Sequence, residues 1–166
     1  VSFYRDHLPL ETPFIRLMPN TPAAVQAGIT AAHTPDNLTA SLSKDVEQLV
    51  QAFGDMIWVD DEEDFHTVTA LSGSGPAYLF HFIEALTNAA IETGLTREVA
   101  QKLAEKTIVG AAKYFATSTQ SASNLKKAVT SKGGTTEAGL TVLEKDLTNI
   151  LKGTLEAATQ RSRDLS

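Results

Sequence analysis

LKKAVTSKGGTTEAGLTVLE, Leu125 to Glu144, is the stretch on which the reading of this chain turns. A short polar helix runs into Thr130, Ser131, Lys132, Gly133, Gly134, Thr135 and Thr136, and apolar helical spacing resumes at Leu140 and Leu143. Two adjacent glycines open backbone conformations closed to other residues and let a ligand come close. A helix beginning near Thr135 would turn its unpaired N–H groups and positive dipole end toward that loop. Amides, hydroxyls and a helix N-terminus together suit a small anion such as a carboxylate. The same residues also suit a plain Gly-Gly turn with Thr135 as the helix cap.

Working outward, Pro76 to Thr93 reads as a helix whose only continuous polar stripe is His81, Glu84, Asn88 and Glu92. Leu79, Phe80, Phe82, Ile83, Leu86, Ala89, Ala90 and Ile91 make it apolar on several sides, which demands burial on more than one face. In about 100 residues a partner subunit is a natural way to supply that. Gly94 ends this helix, Thr96 caps the next (Arg97 to Phe115), and Asp146 suits the cap of a last one. SGSGPAY, Ser72 to Tyr78, reads as a flexible break after a short helix Phe65 to Leu71, and its glycine spacing is wrong for a nucleophile elbow.

The first 60 residues read differently. Phe14 to Met18, Gly28 to Ala32 and Met56 to Val59 suit short buried strands. Between the last two lies a helix expected to start at Pro35 behind a Thr34 cap and to end at Gly54. Strand, strand, helix, strand is the trailing edge of an α/β sheet. MPNTP, Met18 to Pro22, follows a strand, where open α/β sheets bind ligands.

Composition narrows the classes. The 166 residues are 42% apolar and 20% charged, which suits a folded protein. The net charge of −6 argues against nucleic acid and anionic membrane as main partners. Without cysteine there is neither disulfide nor thiolate chemistry. The opening VSFYRDHLPLE lacks the apolar run of a signal peptide and no apolar run spans a membrane, so a cytoplasmic protein is expected. Glu63 and His66 are half of a carboxylate–histidine metal pair with no second half in view, and they read as a solvated helix start. His7, His33 and His81 show no partner in sequence, and SKGGTT lacks the order of a nucleotide P-loop.

Three blocks carry a family resemblance: LKKAVTSKGGTTEAGLTVLE, TALSGSGPAYLFHFIEAL (Thr69 to Leu86) and IRLMPNTPAAVQAGIT (Ile15 to Thr30). In their order along the chain, and spread over nearly all of it, they resemble pyrroline-5-carboxylate reductases, enzymes of the last step of proline biosynthesis. The resemblance implies a mostly α fold. Residues 61–166 would form a helical dimerisation and substrate-binding domain, like the C-terminal domain of 6-phosphogluconate dehydrogenase. Residues 1–60 would be the trailing strands and helix of a Rossmann-type dinucleotide-binding domain. The G-x-G-x-x-G turn of such a domain does not occur here. The chain therefore reads as the back part of the enzyme, expected to be inactive by itself.

The activity so implied is reduction of Δ1-pyrroline-5-carboxylate to L-proline by hydride from NADPH, or alternatively NADH, with no metal. The substrate carboxylate would lie on the amides of Gly133, Gly134, Thr135 and Thr136 with the Ser131 hydroxyl. Thr136 would bond the ring nitrogen as the catalytic residue. Met18, Pro19, Asn20 and Glu62 would lie at the cofactor, and SGSGPAY would line the pocket. The partners implied are the small-molecule substrate and a second copy of the chain, with an active site at the subunit junction; rings of dimers are a further option. The chain departs from the family pattern at Lys132, where many members have proline, so that its charge either assists the carboxylate or points to solvent. It departs again at Ala128, where relatives often carry an amide that touches the cofactor. Two other readings stand beside this one: a non-enzymatic homodimerising helical module of the same ancestry, and another imine or hydroxyacid reductase on the same two-domain plan.

Overall fold

The structure, a computed structural model, describes residues 7, 9, 12–35 and 38–166. Most of the opening VSFYRDHLPLE therefore lies outside the described residues. The chain divides into two compact units, Val1–Pro76 with Thr154–Ser166, and Ala77–Gly153.

The first unit holds a three-stranded mixed sheet in the order β1 (Arg16–Met18), β2 (Gly28–His33), β3 (Gly54–Trp58). β1 runs antiparallel to β2, with Leu17 opposite Ala32, and β3 runs parallel to β2, with Thr30 opposite Met56. β2 is the central strand and nearly all of it is buried, which suits its small and β-branched residues. A 3-10 turn, Thr21–Val25, with Pro22 in its first turn, joins β1 to β2. The crossover from β2 to β3 contains α1 (Ala40–Gln51). That helix starts later than the Thr34-Pro35 pair suggested. Thr39 caps it, its hydroxyl accepting from the Leu42 amide at 3.2 Å, while the Thr34 hydroxyl donates to the Phe14 carbonyl at 2.8 Å. Val50 on α1 is fully buried, as are Ala31, Ala32, Phe65 and Ala70. This is a small but closed core.

After β3 comes α2 (Asp64–Val68), and here the expected break does not occur. Residues Thr69–Gly73 continue as one π-helical turn, with the Ser74 amide donating to the Thr69 carbonyl at 2.8 Å. The helix then proceeds directly into α3 (Gly75–Glu92). Serine and glycine here widen a helix rather than interrupt it. Their low bulk admits the extra residue per turn, and such insertions recur at functional positions.

In the second unit α3 ends at Gly94, whose φ is +109°. α4 (Arg97–Thr117) follows, capped by Thr96 as its sequence suggests. The buried residues of α3 and α4 are small: Thr87, Ala100 and Ala104. α5 (Ala122–Ala128) is capped by Ser121, and α6 (Thr135–Asp164) is a single 30-residue helix. Asp146 is therefore inside α6 and caps nothing. An exposed aspartate in a long helix costs only a fraction of a kcal/mol, about 0.7 at most, and the cap expected there is not needed. Among the described residues, no helix is long and apolar enough to cross a membrane.

Candidate functional site

The glycine loop is framed by α5 and α6, which Lys126 and Glu144 tie together by a 2.6 Å ion pair. The Thr130 hydroxyl folds back to the Lys126 carbonyl at 2.6 Å and closes the end of α5. Gly133 then takes φ +72°, a left-handed conformation that costs other residues strain. At Gly134 any Cβ would overlap the Ser131 hydroxyl oxygen and lie 3.1 Å from the Ser131 carbonyl oxygen. The Ser131 hydroxyl is thus laid over the N-terminus of α6. α6 begins at Thr135, which makes Gly134 rather than Thr135 the capping position.

All five residues expected at the substrate thus lie on one turn: Ser131, Gly133, Gly134, Thr135 and Thr136. Their amides are not equivalent. The Gly134 amide donates to the Ser131 carbonyl at 3.0 Å, and the Gly133 amide donates to the Glu137 carboxylate at 2.7 Å. The amides of Thr135 and Thr136, first and second in the helix, have no carbonyl one turn earlier in the helix to bond. They carry the positive end of a 30-residue dipole. Glu137 was not picked out in the sequence, yet a signal existed, since an acidic residue three places after a capping position commonly reaches back. Lys132 is exposed.

The residues expected at the cofactor lie in the first unit. Asn20 is committed on both sides of its amide: its oxygen accepts from the Ile29 amide at 3.0 Å, and its nitrogen donates to the Ser72 carbonyl at 3.3 Å. It therefore ties the loop after β1 to the π turn. Met18 completes that junction. Its sulfur lies 3.2 Å from the Thr69 hydroxyl, and Gly73 is so close that a Cβ there would meet the Met18 methyl at 3.1 Å. Pro19 is exposed. Glu62 accepts from Arg16 at 2.8 Å. Burial pushes the Glu62 carboxyl upward, but nearby positive charge, Arg16 included, holds it below the usual carboxylate range. The Arg16 guanidinium also lies 4.3 Å from the centre of the Phe65 ring.

The histidines have partners that sequence reading missed: a backbone carbonyl for His33, a residue far along the chain for His66, and a neighbour three places on for His81. His33 is buried, with Nδ1 3.1 Å from the Val59 carbonyl and its ring edge-on to Phe65. His66 bonds the Ser162 hydroxyl at 2.9 Å and is 3.9 Å from Glu63, so it is a half-buried link rather than part of a solvated helix start. His81 pairs with Glu84 at 3.5 Å on the exposed stripe of α3. Among the described residues, no three His, Asp or Glu side chains are grouped as a metal would require.

Comparison with known proteins decides what this arrangement belongs to. Residues 62–165 match the family described as pyrroline-5-carboxylate reductase dimerisation. The chain belongs to the pyrroline-5-carboxylate reductase family. A pyrroline-5-carboxylate reductase of Staphylococcus haemolyticus is 39% identical over 167 residues, covering all of this chain and 61% of that protein. A solved pyrroline-5-carboxylate reductase from Coxiella burnetii matches with a TM-score of 0.93 and 39% identity, over 99% of this chain and 62% of that one. The Plasmodium falciparum pyrroline carboxylate reductase, solved with NADP bound, matches with a TM-score of 0.81 and 32% identity, over 99% of this chain and 66% of that one. The chain thus spans about three fifths of the length of the curated pyrroline-5-carboxylate reductases it matches. The mostly helical fold with a short sheet before it, expected from the sequence, is that of this family.

Proposed function

We propose that this chain is the substrate-binding and dimer-forming part of a cytoplasmic pyrroline-5-carboxylate reductase that reduces Δ1-pyrroline-5-carboxylate to L-proline with NADPH. The observation that carries this reading is the turn from Ser131 to Thr136. It brings the Ser131 hydroxyl over the start of α6, where the first two helix amides, those of Thr135 and Thr136, have no carbonyl one turn earlier, and Gly133 and Gly134 keep side chains out of the way. A small ring carboxylate fits such a place, and a hydroxyl on the first helical turn is available to its ring nitrogen. Once the imine carbon and the hydride donor are held together, little covalent help is needed.

The residues proposed for the cofactor fit only its nicotinamide end. Met18 and Pro19 offer apolar surface and backbone after β1, and Asn20 keeps that loop in place through Ile29 and Ser72. NADPH would supply the hydride when bound. The relative with NADP bound supports that choice of nucleotide over NADH. The division into a dinucleotide-domain remnant, 1–60, and a helical domain, 61–166, belongs to this same reading. A second copy of the chain is the partner proposed for the helical domain, on the strength of its uncovered apolar faces.

The test uses a full-length protein that contains this chain. Oxidation of NADPH with pyrroline-5-carboxylate is expected, and its absence would overturn the reading. Thr136→Ala should lower kcat about five- to thirtyfold, because a hydrogen bond to the ring nitrogen changes in the transition state. Ser131→Ala should mainly raise KM, because the carboxylate it touches is unchanged by the reaction. If Thr136→Ala left both constants within twofold, the role given to that hydroxyl would be wrong.

A further inference from the structure

Within the glycine loop, one contact is not explained by holding a substrate. The amide of Gly133 points at the loop and already has an anion on it, the Glu137 carboxylate at 2.7 Å. Gly134 donates to the Ser131 carbonyl, so an incoming carboxylate is left the amides of Thr135 and Thr136, next to Glu137 in the chain. Two like charges would then share one helix start.

We propose that Glu137 sets the geometry and the affinity of the carboxylate site: its side chain pins the left-handed Gly133 turn and, by its charge, weakens the binding of anions there. This rests on reading the loop as the carboxylate site. The two halves of the proposal have separate causes. Pinning needs only an acceptor for the Gly133 N–H, which an amide side chain supplies as well as a carboxylate. Weakening needs the negative charge. It acts through a rim open to water, so it should be modest and should fade as salt is added. Lys132, exposed on the same turn, carries the opposite charge but offers no acceptor for the Gly133 N–H, which donates to Glu137.

Glu137→Gln separates the two halves, since it keeps the acceptor and removes the charge. The probe is pyrrole-2-carboxylate, a planar ring carboxylate, added to the full-length protein while the amide resonances of Thr135 and Thr136 are followed. Glu137→Gln should bind it about three- to tenfold more tightly than wild type at low salt, and the difference should shrink at high salt. Glu137→Ala, which loses the acceptor as well, should bind more weakly than Glu137→Gln, with the Gly133 resonance displaced even without the probe. Equal or weaker binding by Glu137→Gln would overturn the proposal, as would binding that shifts neither threonine amide. This measurement needs no turnover, so it stands apart from the reductase assay. Turnover with no gain in affinity sinks the role of Glu137 alone, and a gain in affinity without turnover sinks the reductase reading alone.

Discussion

The two units solve the burial problem in opposite ways. In the first, a central strand, one crossover helix and Phe65 close around each other, and Ala31, Ala32, Val50, Phe65 and Ala70 are all at most 2% exposed. In the second, the residues that become buried are small, Thr87, Ala100 and Ala104, and the large ones remain outside. Phe80 is 66% exposed, Leu103 55%, Phe115 53% and Ile150 61%. A surface with so many large apolar groups on successive helices is not that of an independent domain. The first unit holds a core, and the second holds half of one. An apolar helix can be written into a sequence for a neighbour that lies outside these residues.

The largest expected effect comes from breaking the half-core. Phe80→Glu with Leu103→Glu places carboxylates at positions that are on the surface of one copy, so each copy should still fold. In a twofold assembly every such charge would be buried twice. The cost should be about 4 kcal/mol or more, a rise in the dissociation constant of roughly a thousandfold. Sedimentation should show a dimer for the unaltered chain at micromolar concentration and a monomer for the variant. A stable monomer before any substitution would break the comparison at its root, because the second unit would then tolerate its exposed face.

Next in size is a change inside the closed core. Phe65 is 1% exposed, meets the edge of His33 and lies under the Arg16 guanidinium. Phe65→Ala should cost about 3–5 kcal/mol, the usual penalty for emptying an aromatic site. The single tryptophan, Trp58 at the end of β3, reports on this unit alone. Its urea midpoint should fall in the variant and should be independent of protein concentration. A midpoint that moves with concentration would show that the first unit also leans on a partner.

The same contrast explains what could be read from the sequence. The strands, α3, α4 and the glycine loop were legible because their signals are local: apolar spacing, a capping Thr96, a stop at Gly94, two glycines before a helix. Their bounds moved by only a few residues. The unread features depend on groups that sequence spacing does not connect. Ser72 to Gly75 looks like a break, but Thr69–Gly73 forms a π turn instead, and Asn20, 52 residues earlier, donates to the Ser72 carbonyl within it. Thr39, not Thr34, caps α1, since the Thr34 hydroxyl is drawn to Phe14 across the start of the sheet. Asp146 looks like a helix start and is overruled by the length of α6. The residues proposed for the cofactor suffer most from this. They make contacts over long separations, such as Arg16 with Glu62, whereas the turn proposed for the substrate is contiguous in sequence.

The smallest expected effect sharpens the comparison from inside the first unit. Thr30, in the middle of β2, is 1% exposed, and its hydroxyl oxygen has no hydrogen-bond partner among the described residues. A buried hydroxyl without a partner keeps its desolvation cost and gains nothing in return. Valine has the same branched shape, suits a central strand and removes the oxygen. Thr30→Val should therefore stabilise this unit, against the usual direction of core substitutions, by about 1 kcal/mol. The Trp58 transition should move to higher urea with an unchanged slope, since the surface exposed on unfolding is the same. The unaltered slope separates this gain from a change in the unfolded state. A loss of stability would mean that the hydroxyl is paired in solution, for instance through an internal water, and that the first unit is less tightly closed than its buried residues imply. A gain would place the closed unit where the comparison puts it, with a core complete enough that the unpaired Thr30 oxygen is a defect.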